Sequence, residues 1–230
     1  MKHIMIVGAS SGIGLELAKR LKANNRLYTF SRHKGDLPEA AHISWQQFDV
    51  AGSLDSTGLP EHLDGLVYCP GTINLKPVRG IKPEDALQDF EVNALGALKV
   101  IQAVYKKLQA APSASVVLFS TVAVSQGMPY HTSIAMAKGA VEGMTRSLAA
   151  ELAPKIRVNA IAPSLTDTPL AVRLLGTDER RRAAADRHPL KKVGTVADIA
   201  AMAAFLLSDD ATWITGQIFG VDGGMGRLKL

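Results

Sequence analysis

The sequence predicts an α/β fold of the doubly wound kind, a three-layer α/β/α arrangement around a parallel sheet, in one domain spanning 1–230. Three observations carry this expectation. Short β-branched runs alternate with longer helical stretches along all 230 residues, the order from which crossover units are built. Several of those runs are continuously apolar, as strands covered on both faces are. Hydrophobic residues make up 47% of the chain and charged residues 20%, an ordinary balance for a globule with a large core.

Taken in order, "HIMIV" (3–7), "RLYTFS" (26–31), "ISWQQFD" (43–49), "GLVYC" (65–69), "SVVLFS" (115–120) and "IRVNAIA" (156–162) read as buried strands. Helical stretches lie near 13–24, 83–110 and 132–152, and a last helix near 196–207 precedes a closing strand in "GQIFGVDGG". The connection from Asp49 to Leu66 is short and rich in Gly, Ser and Asp, with little room for a crossover helix. The segment 165–195 holds Pro169, a basic cluster and no clear strand, and reads as a mobile insertion covering a site. No repeat, low-complexity run or linker divides the chain.

Composition narrows the partners. No apolar run approaches the roughly 20 residues of a membrane span, and "MKHIMIVGAS" enters a strand without the apolar core of a secretory signal. The single cysteine, Cys69, cannot form an internal disulfide, which fits a reducing compartment and a cytoplasmic location. The net charge of +5 is scattered apart from "DERRRAAADRH" at 178–188. Without zinc spacing or interleaved aromatics, neither a metal site nor nucleic-acid binding is expected. That cluster reads as a solvated helix face, or as attraction for a phosphorylated ligand.

"IMIVGASSGIGLELAKRL" sets Gly8, Gly12 and Gly14 between the first strand and the first helix. Gly8 permits a tight turn, Gly12 lets the backbone approach a diphosphate at the helix N-terminus, and Gly14 lets helix and strand pack closely. With a strand before and an amphipathic helix after, this reads as a nucleotide loop.

The spacing Gly-x-x-x-Gly-x-Gly resembles the short-chain dehydrogenase/reductase family, and the resemblance runs nearly end to end. "FDV" (48–50) looks like its adenine-contacting segment, "EVNALGALKV" (91–100) its asparagine helix, and "FSTVAV" its serine-bearing strand end. "AKGAVEGMTRSLAAELAPKIRVNAIAPSLTDTP" resembles the lysine helix, the next strand and the nicotinamide-contacting loop, and "LKKVGTVADIAAMAAFLLSDDATWITGQIFGVDGG" the end of the sheet. The resemblance implies a Rossmann-like fold, a nicotinamide cofactor, a small-molecule substrate and a homodimer or homotetramer. It places Gly8, Ser10, Ser11, Gly12, Ile13, Gly14, Ser31, Arg32, Asp49, Val50, Pro70, Gly71, Asn93, Lys138, Pro163, Thr166 and Thr168 at the cofactor.

An acidic residue ending the second strand would bind the adenosine ribose and repel a 2′-phosphate. Here that strand ends "TFSRHK". Arg32 can grip a phosphate with two hydrogen bonds, Ser31 can add a hydroxyl donor and Lys34 a positive charge. NADP(H) is expected over NAD(H).

The family's chemistry uses a tyrosine to move the proton, a lysine to lower its pKa and hold the ribose, a serine to position the substrate oxygen, and an asparagine to anchor a relay water. Lys138 and Asn93 match, and Thr121 keeps a hydroxyl at the serine position, thirteen residues before Ile134. Ile134 stands where the tyrosine is expected and has no proton to exchange. Tyr130 is the first substitute, folded inward from the loop at Pro129, and His131 the second. His131 lies seven residues before Lys138, the tyrosine offset of the enoyl-reductase branch, and imidazole titrates nearest neutrality. Water polarised by Thr121 is a third source. The expectation is hydride transfer with a carbonyl, alcohol or activated enoyl compound; the alternative is a dinucleotide-binding sensor or partner subunit without turnover. Two further departures are "CPG" at 69–71 for Asn-Ala-Gly, making Cys69 a buried structural thiol, and Ser164 for the glycine after Pro163.

Overall fold

The computed structural model describes residues 1–229. Its strands are β1 (Lys2–Val7), β2 (Asn25–Ser31), β3 (Ile43–Gln47), β4 (Gly65–Tyr68), β5 (Ala114–Phe119), β6 (Ile156–Pro163), β7 (Thr166–Asp167), β8 (Gly194–Thr195) and β9 (Ile218–Val221). Seven of them form one sheet in the order β3-β2-β1-β4-β5-β6-β9, and every pairing is parallel. The order reverses direction at β1 and β4, which lie side by side, and the carboxyl ends of strands flanking such a point open a crevice.

Successive side chains on a strand face opposite ways, and this sheet uses both faces. Met5 and Val7 of β1 join Leu66, Val116 and Val158 in a core against α3 (Gly96–Ala110) and α4 (Thr132–Leu152). Ile4 and Ile6 join Leu27, Val67 and Ile161 in a second core against α1 (Gly12–Leu21) and α7 (Val196–Leu207). This two-sided burial explains the unbroken apolar runs.

The helix expected over 83–110 is three pieces. α2 (Pro83–Phe90) leads into a π-helical turn at Glu91–Leu95, and α3 follows. In that turn the Gly96 N–H bonds back to the Glu91 carbonyl, a five-residue step that rotates the following side chains. Gly96 sits where a Cβ would lie 2.4 Å from the Tyr68 hydroxyl, so the chain passes under β4 only without a side chain there. Asp49 to Leu66 contains no helix, as its composition implied. The segment 165–195 departs from expectation. It folds into the short β7–β8 pair and two helices, α5 (Val172–Leu175) and α6 (Asp178–Asp186).

Candidate active site

The glycine loop leaves β1 through Gly8 (φ +83°) and enters α1 through Gly12 (φ +55°), both in the left-handed region that favours glycine. Gly14 packs against the loop, where a Cβ would stand 2.3 Å from the Gly8 carbonyl oxygen. Ser11 precedes α1 without a side-chain cap, and the first turn holds no acidic residue. Its amide groups and the positive end of the helix dipole are therefore open to an anion.

A crevice of about 550 Å³ runs over this loop, from Ser31 and Arg32 past Asp49 and Val50 to Pro70 and Gly71, with Ser10, Ser11, Ile13 and Thr168 along its walls. At its far end Ser31 departs from expectation. Its hydroxyl donates to the His33 carbonyl at 2.6 Å and accepts from Trp45 Nε1 at 2.9 Å, so it has no proton left for a phosphate. Lys34 is ion-paired with Glu39 at 3.2 Å. Arg32 is exposed and forms no hydrogen bond or ion pair among the described residues, leaving its guanidinium to face a ligand.

The crevice opens into a second cavity of about 330 Å³, the two sharing Ile13, Cys69, Gly71, Thr72, Thr168 and Leu170 as walls. Lys138 stands where they meet, its Nζ 3.6 Å from where a Gly71 Cβ would be. It is buried and donates to the Phe119 carbonyl at 2.9 Å. Burial pushes its ammonium down to about 8, opposed by Cys69 and Asp89 nearby. Burial also pushes the Cys69 thiol up to about 12, so the thiol is un-ionised and inert as a nucleophile. Pro163 and Thr166 line the same cavity.

Asn93, buried in the π turn, donates from Nδ2 to Thr72 Oγ1 and to the Asp89 carbonyl, both at 2.8 Å, and accepts from the Thr72 N–H at 3.3 Å. Both its amide protons are engaged, which leaves only its oxygen to hold a water. Behind it the fully buried Asp89 carboxylate accepts hydrogen bonds from Thr72, Asn74 and Ser133. Thr121 lines the cavity and its Oγ1 accepts from the Ala123 N–H at 3.3 Å, so its own proton is free to donate. Ser120 differs, donating to Glu142 at 2.8 Å.

Ile134 lines the cavity one helical turn before Lys138 and is buried. The two neighbouring candidates, Tyr130 and His131, lie differently from expectation. Tyr130 has φ +69°, is 59% exposed and is not among the residues that line the cavity. His131, at the start of α4, does line the cavity. Its Nδ1 meets the Pro129 carbonyl at 2.7 Å. A carbonyl only accepts, so Nδ1 carries the proton and Nε2 is the nitrogen left for chemistry.

Sequence reasoning missed the polar pair on the far wall. His188, 2% exposed, lies with Nε2 2.9 Å from Ser164 Oγ, and both line the cavity. Ser164 stood out only as a substituted glycine, and no spacing rule links it to His188, 24 residues on. Asp89 and Asn93, four apart on a helical stretch, carried a signal in their shared face.

These residues fit a dinucleotide: open amides and absent Cβ atoms for a diphosphate, an unpaired cation at the adenosine end, and Lys138 where the crevice meets the pocket. No helix among the described residues is long and apolar enough to cross a membrane. The family model described as enoyl-(acyl carrier protein) reductase matches residues 8–226. The chain is 37% identical to the 3-oxoacyl-[acyl-carrier-protein] reductase FabG of Thermotoga maritima, over 97% of each chain. It superposes on a short-chain type dehydrogenase/reductase from Mycobacterium ulcerans with a TM-score of 0.87 at 26% identity, covering 98% of this chain and 90% of that one. A gluconate 5-dehydrogenase from Burkholderia cenocepacia, in complex with NADP and tartrate, gives 0.89 at 25% identity, over 99% and 96%. Matches that extend over nearly the whole chain, in sequence and in fold alike, make it a member of the short-chain dehydrogenase/reductase family of nucleotide-binding oxidoreductases.

Proposed function

We propose that the protein is an NADP(H)-dependent reductase of a small carbonyl compound, with His131 in place of the family's tyrosine as proton donor. The observation that carries the reading is the junction at Lys138, where the crevice meets a largely apolar cavity edged by His131 and Thr121. A reduced nicotinamide, when bound, supplies hydride to the carbonyl carbon. Arg32, without a partner of its own, holds the 2′-phosphate. Lys138 donates to the ribose hydroxyls from its site beside Gly71. The Thr121 hydroxyl, its proton uncommitted, positions and polarises the substrate oxygen. As the carbonyl is reduced its oxygen becomes basic, and His131 would give it a proton from Nε2. Leu165, Leu170 and Leu174 give the cavity an apolar wall for the substrate's carbon skeleton. In this reading 165–195 covers the substrate, and the chain assembles as a homodimer or homotetramer.

Oxidation of NADPH over a panel of small ketones, aldehydes and enoyl thioesters tests the proposal. His131→Gln is expected to lower kcat by about 100-fold or more, the usual contribution of a general acid, with NADPH affinity kept. Tyr130→Phe is expected to change kcat less than twofold. Unchanged turnover in His131→Gln removes the assignment. The second reading, a dinucleotide sensor, draws on the buried Ile134 one turn before Lys138. Tight NADPH binding with no turnover across the panel would establish it.

A further inference from the structure

We infer that Ser164 and His188 form a hydrogen-bond-accepting anchor that selects substrates carrying a hydroxyl group beside the reacting carbonyl. The inference rests on the reading of this cavity as the substrate pocket. His188 Nδ1 lies 2.7 Å from the Ala184 carbonyl, and a carbonyl has no proton to give, so Nδ1 carries the hydrogen. In the neutral ring Nε2 is then bare. The single proton of the Ser164 hydroxyl has two acceptors in reach, Nε2 at 2.9 Å and Met225 Sδ at 3.1 Å; the imidazole nitrogen is the stronger acceptor and takes it. Ser164 Oγ is left with its lone pairs, and the thioether has no proton to offer them. Among the described residues nothing donates to Ser164 Oγ.

Thr121 presents the opposite polarity. Its oxygen accepts from the Ala123 N–H, and its proton is free. One pocket with apolar walls thus holds a donor at Thr121 and an acceptor at Ser164. A carbonyl oxygen satisfies the first and a hydroxyl proton the second, so the complementary ligand is a hydroxy-substituted carbonyl compound. A simple ketone would bury the Ser164 lone pairs against carbon, and sites built to bond a hydroxyl discriminate against ligands lacking one.

The test compares hydroxyacetone with 2-butanone, in which a methyl group replaces the hydroxyl. kcat/KM is measured with NADPH for the wild-type protein and for Ser164→Ala and His188→Leu, the latter freeing the serine proton to turn into the pocket. The ratio for the two ketones, compared between proteins, cancels their intrinsic reactivities and any general loss of activity. It is expected to fall at least tenfold in Ser164→Ala and to fall also in His188→Leu. An equal ratio in wild type and Ser164→Ala overturns the inference. Binding of both ketones to the NADP⁺ complex is followed in parallel by saturation-transfer NMR. A hydroxyl preference in binding that Ser164→Ala abolishes, without turnover of either ketone or of any other compound of the panel, upholds the anchor and refutes the reductase reading. Binding of neither ketone, or of both alike, refutes the anchor.

Discussion

Replacing Lys138 with methionine should make the cofactor-free protein more stable at neutral pH. The Lys138 ammonium is buried and sits at about 8 instead of its ordinary 10.5, with burial the main cause. That gap corresponds to about 3 kcal/mol, at about 1.4 kcal/mol per pH unit. Below pH 8 the folded and unfolded chains both hold the proton, and the folded state bears the whole cost. Between pH 8 and 10.5 only the unfolded chain keeps it, so stability rises with pH through this window. Above 10.5 the cost is gone. Methionine removes the charge but leaves the Phe119 carbonyl without the bond it accepts at 2.9 Å, an offset of about 1 kcal/mol. The variant should therefore gain about 2 kcal/mol at pH 7, a rise in Tm of about 4–8 °C for a chain of this size. Its advantage should shrink from pH 8 upward and reverse near pH 10. Urea unfolding of both proteins at pH 7, 9 and 10.5 reads this out. A variant less stable than wild type at pH 7, by a margin that pH does not alter, would show that the buried cation is not the source of strain.

Three further outcomes follow from the geometry. Arg32→Ala should weaken NADPH by about tenfold or more, as loss of a charge-assisted phosphate contact does, while NADH is little affected; fluorescence titrations in which both weaken equally would contradict it. Gly14→Ala drives a methyl group to 2.3 Å from the Gly8 carbonyl oxygen, and the resulting overpacking should cost about 1–3 kcal/mol and weaken NADPH, measured by urea unfolding and titration; wild-type values for both would mean the loop yields freely. Thr195→Ala removes a capping box in which Oγ1 accepts from the Asp198 N–H at 3.2 Å and donates to its carboxylate at 2.8 Å, and should cost about 1 kcal/mol. An unchanged calorimetric Tm would indicate that α7 is held by its packing alone.

What the sequence disclosed, and what it withheld, follows the range of the interactions. The strand–helix alternation and the glycine loop are local patterns, and the bounds expected for α4 and α7, 132–152 and 196–207, are those observed. The π turn was hidden because a widened turn inside a helix leaves little mark in the local propensity of 83–110; the need for glycine at 96 comes from Tyr68, on a strand 28 positions earlier. Ser31 read as a phosphate donor because its residue type offers a hydroxyl; the folded loop instead gives that proton to the His33 carbonyl two residues on. Tyr130 was expected to fold inward from the loop at Pro129, and its positive φ is a turn property that the residue type disfavours. His188 reaches Ser164 only through the path of α6, and no periodicity foretells such a meeting.

The π turn has a consequence for insertions and deletions. Its carbonyls reach one residue further along the chain than those of the helices on either side. Removing one residue from Glu91–Leu95 would let the turn close to an even coil, with Val100, Val104 and Leu108 still facing the core. What such a deletion would take away is the widened turn from which Asn93 reaches Thr72. In this stretch the extra residue serves the site and not the packing.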